Sequence, residues 1–230
     1  MPKVIGFVPA RAGSKGVVGK NIKLLGGRPL INWTLDAAKS AGIFDDIVVS
    51  SDSDEILKVA QEQDVSVVKR PDVLSGDTVE TIDVVLDYIR SSELSGADIV
   101  ILLQPTCPFR KPSDIRQAVD FLKENKSPGV KSVVSVVDVG GTHPFRMKRI
   151  INGELVDYID QGFEDMRPRQ VLPKAYIRSG SIYAARVSDI EKTKSLVPRP
   201  TAPLLEDSSE AVNIDSYLDF YLAEALLHHG

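Results

Sequence analysis

The chain has a single cysteine, Cys107, so no intramolecular disulfide can brace it. That suits a reducing compartment, and a cytoplasmic protein is expected. Its three histidines, His143, His228 and His229, lack metal-site spacing. No apolar stretch is long enough to span a bilayer. The short apolar run near the start is broken by Pro9 and Arg11, unlike a secretory signal. Positive charge is not in excess either: 28 Lys and Arg face 32 Asp and Glu, a net charge of -4. That argues against a general binder of nucleic acid or membrane surfaces. Repeats and low-complexity segments are missing too. What is present is globular: 230 residues, 43% hydrophobic and 26% charged, read as one domain spanning 1–230.

Strand and helix patterns alternate along the first 140 residues. Val4 to Val8, Ile47 to Val49, Val65 to Val68, Ile99 to Leu103 and Val133 to Val137 read as core strands. Helical patterns run over Leu30–Ala41, from the acidic capping stretch Ser50–Glu55 to about Gln63, Val79–Arg90 and Ser113–Lys123. Pro29 suits the first helical turn and Gly42 the position past the last. Ile99–Leu103 is apolar at every position, the mark of a central strand. This alternation predicts an α/β fold, a mostly parallel sheet with helices on both faces and right-handed crossovers. Ligands in such sheets sit at the carboxyl ends of the strands. Three polar segments fall there: Arg11–Asn21, Arg70–Thr78 and Gln104–Arg110.

The rhythm breaks after Val139. Asn152-Gly153 between two strand-like runs is a strong hairpin signal. Residues 140–178 are expected to form an inserted arm that leaves the sheet and packs on a second subunit, giving a homodimer. Strand-like Tyr176–Ala184 is interrupted by Gly180, and the proline-rich Val197–Pro203 is expected to be irregular. A last helix runs to His228, capped by Asp215 or Ser216, with Leu218, Leu222, Ala225 and Leu226 on its apolar side.

The first polar segment carries the clearest chemistry. In Arg11-Ala-Gly13-Ser14-Lys15-Gly16-Val-Val-Gly19-Lys20-Asn21, three glycines alternate with three cations directly after a buried strand. Glycine lets the backbone approach a ligand, and Arg and Lys donate charge and hydrogen bonds, so the loop reads as a polyphosphate cradle. It is not a P-loop: five residues separate Gly13 from Gly19, and Asn21 stands where a hydroxyl is needed. Nor is it the dinucleotide fingerprint, because the glycines are spaced by threes. Arg70 and Arg110 lie at strand ends and could join the cradle, as could Ser75 in the loop that follows Arg70. Gln104 and Thr106 follow the most buried strand and could read a sugar or base. Cys107 has no identifiable base partner and reads as a loop-shaping residue. Asn213 and Asp215, two apart on an extended segment, could share Mg²⁺ if phosphates complete the shell; the plainer reading makes Asp215 a helix cap.

These segments together resemble the CMP-sialic acid synthetases, also called acylneuraminate cytidylyltransferases. The resemblance spans nearly the whole chain. It rests on Pro9-Ala-Arg-Ala-Gly-Ser-Lys-Gly16, Lys20-Asn21, Ser51-Asp-Ser-Asp54, Arg70-Pro71, Leu103-Gln-Pro-Thr-Cys-Pro-Phe-Arg110, Arg169-Gln170, Gly180-Ser-Ile-Tyr183 and Ile214-Asp215. It implies a Rossmann-like nucleotidyltransferase fold, a dimer whose arm reaches the partner's site, and Mg²⁺-dependent transfer of CMP from CTP to a nine-carbon α-keto sugar acid. By that likeness Arg11, Gly13, Ser14, Lys15, Lys20, Asn21, Arg70 and Ser75 serve the nucleotide. Gln104, Thr106 and Tyr183, with Arg146 and Arg169 on the arm, serve the sugar. Arg11, Lys20 and Asp215 carry the chemistry, with Asp215 and Asn213 at the metal. The chain departs from the family at Asn213, where Asp is frequent, at Ser179 for Asn and at Cys107 for Ser. Legionaminic or pseudaminic acid with the same chemistry, perhaps with another nucleotide, is the near alternative; a nucleotide-sugar binder that has lost catalysis is the distant one.

Overall fold

A computed structural model describes residues 2–123 and 129–229. In chain order the elements are β1 (Val4–Pro9), β2 (Leu24–Leu25), β3 (Arg28–Pro29), α1 (Leu30–Ala41), β4 (Asp46–Ser51), α2 (Asp54–Gln61) and β5 (Ser66–Lys69). Then come α3 (Thr81–Ser91), β6 (Ile99–Leu103), α4 (Pro112–Lys123), β7 (Ser132–Asp138), β8 (Lys148–Ile151) and β9 (Glu154–Asp157). The chain closes with β10 (Tyr176–Arg186), α5 (Val187–Thr193), β11 (Thr201–Leu205) and α6 (Tyr217–His229).

Seven strands form one sheet in the order β11-β7-β10-β6-β1-β4-β5. β1 pairs in parallel with β4 and β6, β4 with β5, and β11 with β7. Only β10 runs against its neighbours, β6 and β7. The α/β expectation with a mostly parallel sheet is met. β1 and β6 are buried along nearly their whole length, because helices cover both faces. On one face Val4, Val8, Ile99, Ile101 and Leu103 pack with Ile31, Leu35, Ile56, Ile115 and Val119 of α1, α2 and α4. On the other, Ile5, Phe7, Val100 and Leu102 meet Val85, Ile89 and Ile190 of α3 and α5. Alternate residues of each strand feed alternate faces, so apolar side chains are needed at both parities.

Four expectations need correction. Thr201–Leu205 is not irregular: it is the parallel edge strand β11, and an edge tolerates Pro203 because a missing N–H can face outward there. Tyr176–Arg178 is not the end of the arm, since it pairs with Val136–Asp138 in the main sheet. Pro29 stands before α1 rather than in its first turn, while Gly42 ends that helix with a left-handed φ of 65°. Finally, α6 buries Phe220 and Ala223, with Leu226 and Leu227 partly covered, and turns Leu218 and Leu222 outward. Its many leucines made two faces look apolar; the cluster of Val17, Leu25, Leu30, Val212 and Ile214 selects the one carrying Phe220.

The hairpin at Asn152-Gly153 forms as expected, with φ of 53° and 86° at the two turn residues. β8 and β9 make a two-stranded sheet separate from the main one.

The choice of α6 face is testable by urea unfolding. Phe220→Ala, at a position 2% exposed, is expected to cost about 3–5 kcal/mol. Leu222→Ala, at 51% exposure, is expected to stay within about 0.5 kcal/mol. Equal losses from the two would reject this packing.

Candidate active site

β1 has β4 on one side and β6 on the other, so the chain changes direction across the sheet between β1 and β6. A crevice opens at such a point beyond the carboxyl ends of the strands. A cavity of about 600 Å³ lies there. The loop after β1 supplies Arg11, Ser14, Lys15, Lys20 and Asn21; β5 delivers Arg70; β6 delivers Gln104 and Thr106; the segment before α6 supplies Asn213 and Asp215. Residues nearly 200 positions apart therefore line one space.

Each part of the lining is held by identifiable contacts. The Ala12 amide donates to Asp52 at 2.8 Å, and the Asn21 side chain donates to the Arg11 carbonyl at 2.9 Å, fixing the glycine loop from both sides. Asn21 is itself buried, so it braces the loop as well as lining the cavity. Val17 enters the apolar cluster beneath α6 beside Ile214. The chain comes so close there that a Cβ on Gly16 would lie 1.9 Å from the Asp215 carbonyl oxygen. Only glycine permits that approach. Gly180 has a left-handed φ of 87°, and a Cβ there would lie 3.0 Å from the Gln104 side-chain oxygen.

The cations are already engaged. Asp77 spans two of them, its Oδ1 2.8 Å from Arg11 and its Oδ2 2.7 Å from Lys15. Hydrogen bonds from Lys15 and then Arg11 hold the Asp77 carboxyl below the usual carboxylate range. An anion thus sits in the cradle, contributed by the protein itself; its loop position gave no sign of this. Lys20 donates to the Ile214 carbonyl at 2.6 Å and to Asp215 at 3.2 Å. Asn213 donates to the other Asp215 oxygen at 3.0 Å. The arrangement leaves Asp215 free of capping duty. Ser216 caps α6 instead, accepting from the Asp219 amide while Asp219 accepts from the Ser216 amide at 2.7 Å, a reciprocal capping box. Arg70 is buried and donates to the Ser50 carbonyl at 2.9 Å; burial pulls its pKa down, and Asp52 works against that.

Other expected residues stand apart. Gly13 and Ser75 do not line the cavity; the Ser75 hydroxyl donates to the Pro71 carbonyl at 3.0 Å. Arg110 does not join the phosphate-type cations. It is buried and donates to Thr34, to the Gln104 carbonyl and to the Ser181 carbonyl and hydroxyl. It ties β6 to β10 rather than facing the cavity. Cys107 is buried, and burial pushes its thiol up to about 11, which fits a loop-shaping residue and not a nucleophile. Arg146 and Arg169 lie on the arm and line neither this cavity nor its neighbour. Tyr183 lines a second cavity, of about 240 Å³, which shares Thr81 and Gln104 with the first.

Among the described residues no group of three or more His, Cys, Asp or Glu side chains is placed to hold a metal. Asp215 still offers the cavity one carboxylate, the kind of group that holds a divalent cation completed by substrate phosphates, while Asn213 turns its amide N–H to that carboxylate. No helix among the described residues is long and apolar enough to cross a membrane.

A mostly parallel sheet with a crevice at its switch point is where α/β proteins bind ligands, and the cations lining this one suit an anionic ligand. Residues 5–191 match the family described as cytidylyltransferase, and the chain belongs to it. It is 39% identical over 229 residues to CMP-N,N'-diacetyllegionaminic acid synthase of Legionella pneumophila, covering 98% of this chain and 96% of that one. It is 32% identical over 223 residues to N-acylneuraminate cytidylyltransferase of Streptococcus agalactiae, covering 95% of this chain and 52% of that one. The resemblance to CMP-sialic acid synthetases is borne out. A solved structure of CMP:2-keto-3-deoxy-manno-octonic acid synthetase complexed with CTP shares the fold, with a TM-score of 0.71 at 17% identity over 99% of both chains.

Two of the three glycines of the cradle make opposite predictions. Gly16→Ala must push the Asp215 segment away and is expected to cost about 1–3 kcal/mol in urea unfolding. Gly13→Ala has open space and is expected to unfold like the parent. A neutral Gly16→Ala would show that the two segments are not in contact.

Proposed function

We propose that this cytidylyltransferase transfers CMP from CTP to the anomeric hydroxyl of a nine-carbon α-keto sugar acid of the N-acylneuraminate or legionaminate kind, releasing pyrophosphate. The observation that carries the reading is the convergence of Arg11, Lys15, Lys20 and Arg70 on one cavity that shares Gln104 and Thr81 with a second. A triphosphate suits the first space and a sugar the second, with Gln104 between them. The family match and the relatives named above support both substrates.

In this reading the sugar hydroxyl oxygen attacks the α-phosphorus. The bond from the α-phosphorus to the bridging oxygen breaks, pyrophosphate leaves, and the hydroxyl proton passes to solvent. Such a transfer asks for positioning and for charge on the phosphate oxygens. Arg11 and Lys15 exchange Asp77 for the outer phosphates, and Lys20 and Arg70 face the inner ones. Ser14 and Asn21 line the same space, and Gly13 and Ser75 shape the loops around it. Mg²⁺, held by Asp215 with Asn213, would neutralise charge on the phosphates. Gln104 and Tyr183 contact the sugar in the second space, and Thr106 meets it from the first, beside the reacting phosphate. A reducing cytoplasm suits the lone thiol of Cys107.

The arm, 140–175, is read as the contact with a second copy. Ile150 is 76% exposed, Leu155 70% and Met166 82%, an apolar surface that water does not favour. Arg146 and Arg169 are carried on it, and a partner's cavity is where they would act. Asp138 and Tyr176 are directly paired, so an Asn-Gly turn can replace 140–174 without disturbing the sheet. That variant is expected to sediment as a monomer; a dimer would refute the arm as the main contact.

The decisive assay is pyrophosphate release, with each of the four nucleoside triphosphates against a panel of nonulosonic acids, with and without Mg²⁺. Release with CTP and one such acid, dependent on Mg²⁺, is expected. No release from any pair would sink the proposal. Arg11→Ala is expected to lower turnover about 100-fold or more with unfolding unchanged. Parent-like turnover would remove Arg11 from the phosphate site.

A further inference from the structure

The proposed acceptor brings a difficulty of its own. Its carboxylate sits on the anomeric carbon, beside the attacking hydroxyl, and must approach a triphosphate that is already strongly negative. The cations of the first cavity are committed: Arg11 and Lys15 to Asp77 or its replacement, Lys20 to Asp215, Arg70 to Ser50. Arg146 and Arg169, the cations that sequence assigns to the sugar, stand outside both cavities of their own chain. Arg146 is also occupied, donating to the Arg167 carbonyl at 2.7 Å.

The second cavity has cations of its own, Arg178 and Lys194. Topology explains how Arg178 arrives. β10 alone runs antiparallel, so its beginning, not its end, lies at the carboxyl edge of the sheet. Arg178 pairs with Val136, near the end of β7, and the strand continues to Ile182 opposite Leu103, the residue before Gln104. A register shift between Arg178 and Tyr183 takes up the irregularity around Gly180. Lys194 enters from the left-handed residue that ends α5, with φ of 51°. Among the described residues neither side chain has an ion pair or a hydrogen bond. Burial pushes the Tyr183 phenol up, and the Arg178 charge works against it, so that charge is felt inside the cavity. Glu80 is the one acid lining this space, and it pairs with neither cation.

We infer that Arg178, flanked by Lys194, holds the carboxylate of the sugar acid and thereby makes a same-chain contribution to acceptor selection. An unengaged guanidinium can take a carboxylate in a two-pronged hydrogen-bonded pair, which fixes orientation as well as charge. With the carboxylate so held, the neighbouring anomeric hydroxyl is turned towards Gln104 and the first cavity. The inference rests on the reaction proposed above.

The test uses the full-length enzyme, CTP at saturation and varied acceptor, with pyrophosphate as readout. Arg178→Ala and the polar, uncharged Arg178→Gln are expected to raise KM for the acid about tenfold to a hundredfold, the range for one hydrogen bond to a charged group. KM for CTP should stay within about twofold, and Arg178→Lys should recover part of the loss. The primary amide of the same acid, which lacks the charge, gives the second arm. The parent should prefer acid over amide, and Arg178→Ala should lose most of that preference. A parent-like KM for the acid in both variants, or an intact preference for acid, would overturn the inference. So would an equal rise in KM for CTP, which would mean general damage to the site. Should the parent turn over no acid at all, the reaction itself is misread; should the parent turn over and Arg178→Ala match it, only the role of Arg178 falls.

Discussion

Burial of β1 and β6 on both faces is the constraint from which the site follows. A strand covered by helices on both sides has no place for a polar side chain along its length. Polar residues can appear only where the strand leaves the sheet. Val4–Pro9 and Ile99–Leu103 obey this, and the first polar residues after them are Arg11 and Gln104. Because the two strands are neighbours and run the same way, those residues emerge on the same edge. The crevice is thus a consequence of how the core is filled.

Packing then sets the depth of the crevice. The cluster under α6 pins Val17 and Ile214 together, and the loop that carries the cations cannot lift away without exposing them. The Gly16 backbone lies against Asp215, so Lys20 reaches both the Ile214 carbonyl and the Asp215 carboxylate. Arg110 does comparable work on the other side, bonding Gln104 to Ser181 across β6 and β10. A buried guanidinium is costly unless its nitrogens are hydrogen-bonded, and here each of the three donates to a backbone carbonyl or a hydroxyl. Removing it would take a donor from the Ser181 carbonyl and leave the Gln104 carbonyl only the Cys107 amide, loosening Gln104.

Much of this was legible in residue order. Repeated strand and helix patterns, with a fully apolar Ile99–Leu103, predict a parallel sheet, and the sheet places Arg11, Arg70 and Gln104 on one edge. The Asn152-Gly153 turn was legible because only a few dipeptides accept two positive φ values. What escaped depends on neighbours that sequence does not name. Thr201–Leu205 became a strand because β7 offered an open edge, and Pro203 hid it. The direction of β10 follows from the arm before it, not from its own residues. Arg110 and Arg70 look alike in sequence, both at strand ends, yet one lines the cavity and the other is a tie within the core. The face of α6 was decided by the cluster waiting beneath it. Asp77 gave no signal, since an aspartate in a Ser-Gly-Asp-Thr loop is ordinary turn chemistry.

Asp77 and Asp215 show how an acidic protein holds a cationic site together. Four cations in one cavity repel each other, and the low dielectric of a crevice strengthens the repulsion. Asp77 answers Arg11 and Lys15, and Asp215 answers Lys20. Asp215 is more exposed than Lys20, and Asp77, itself half-exposed, lies between the more buried Arg11 and the more exposed Lys15. That position allows exchange. A carboxylate at the rim can swing aside for a phosphate, whereas a buried one could not leave without stranding its cation. The same reasoning separates the two cavities: the first carries its counter-ions with it, and the second keeps Arg178 and Lys194 unanswered among the described residues. An anion entering the second cavity displaces no protein carboxylate. Its charge is matched by cations that have nothing to release, which is the electrostatic condition a carboxylate needs to settle beside a triphosphate.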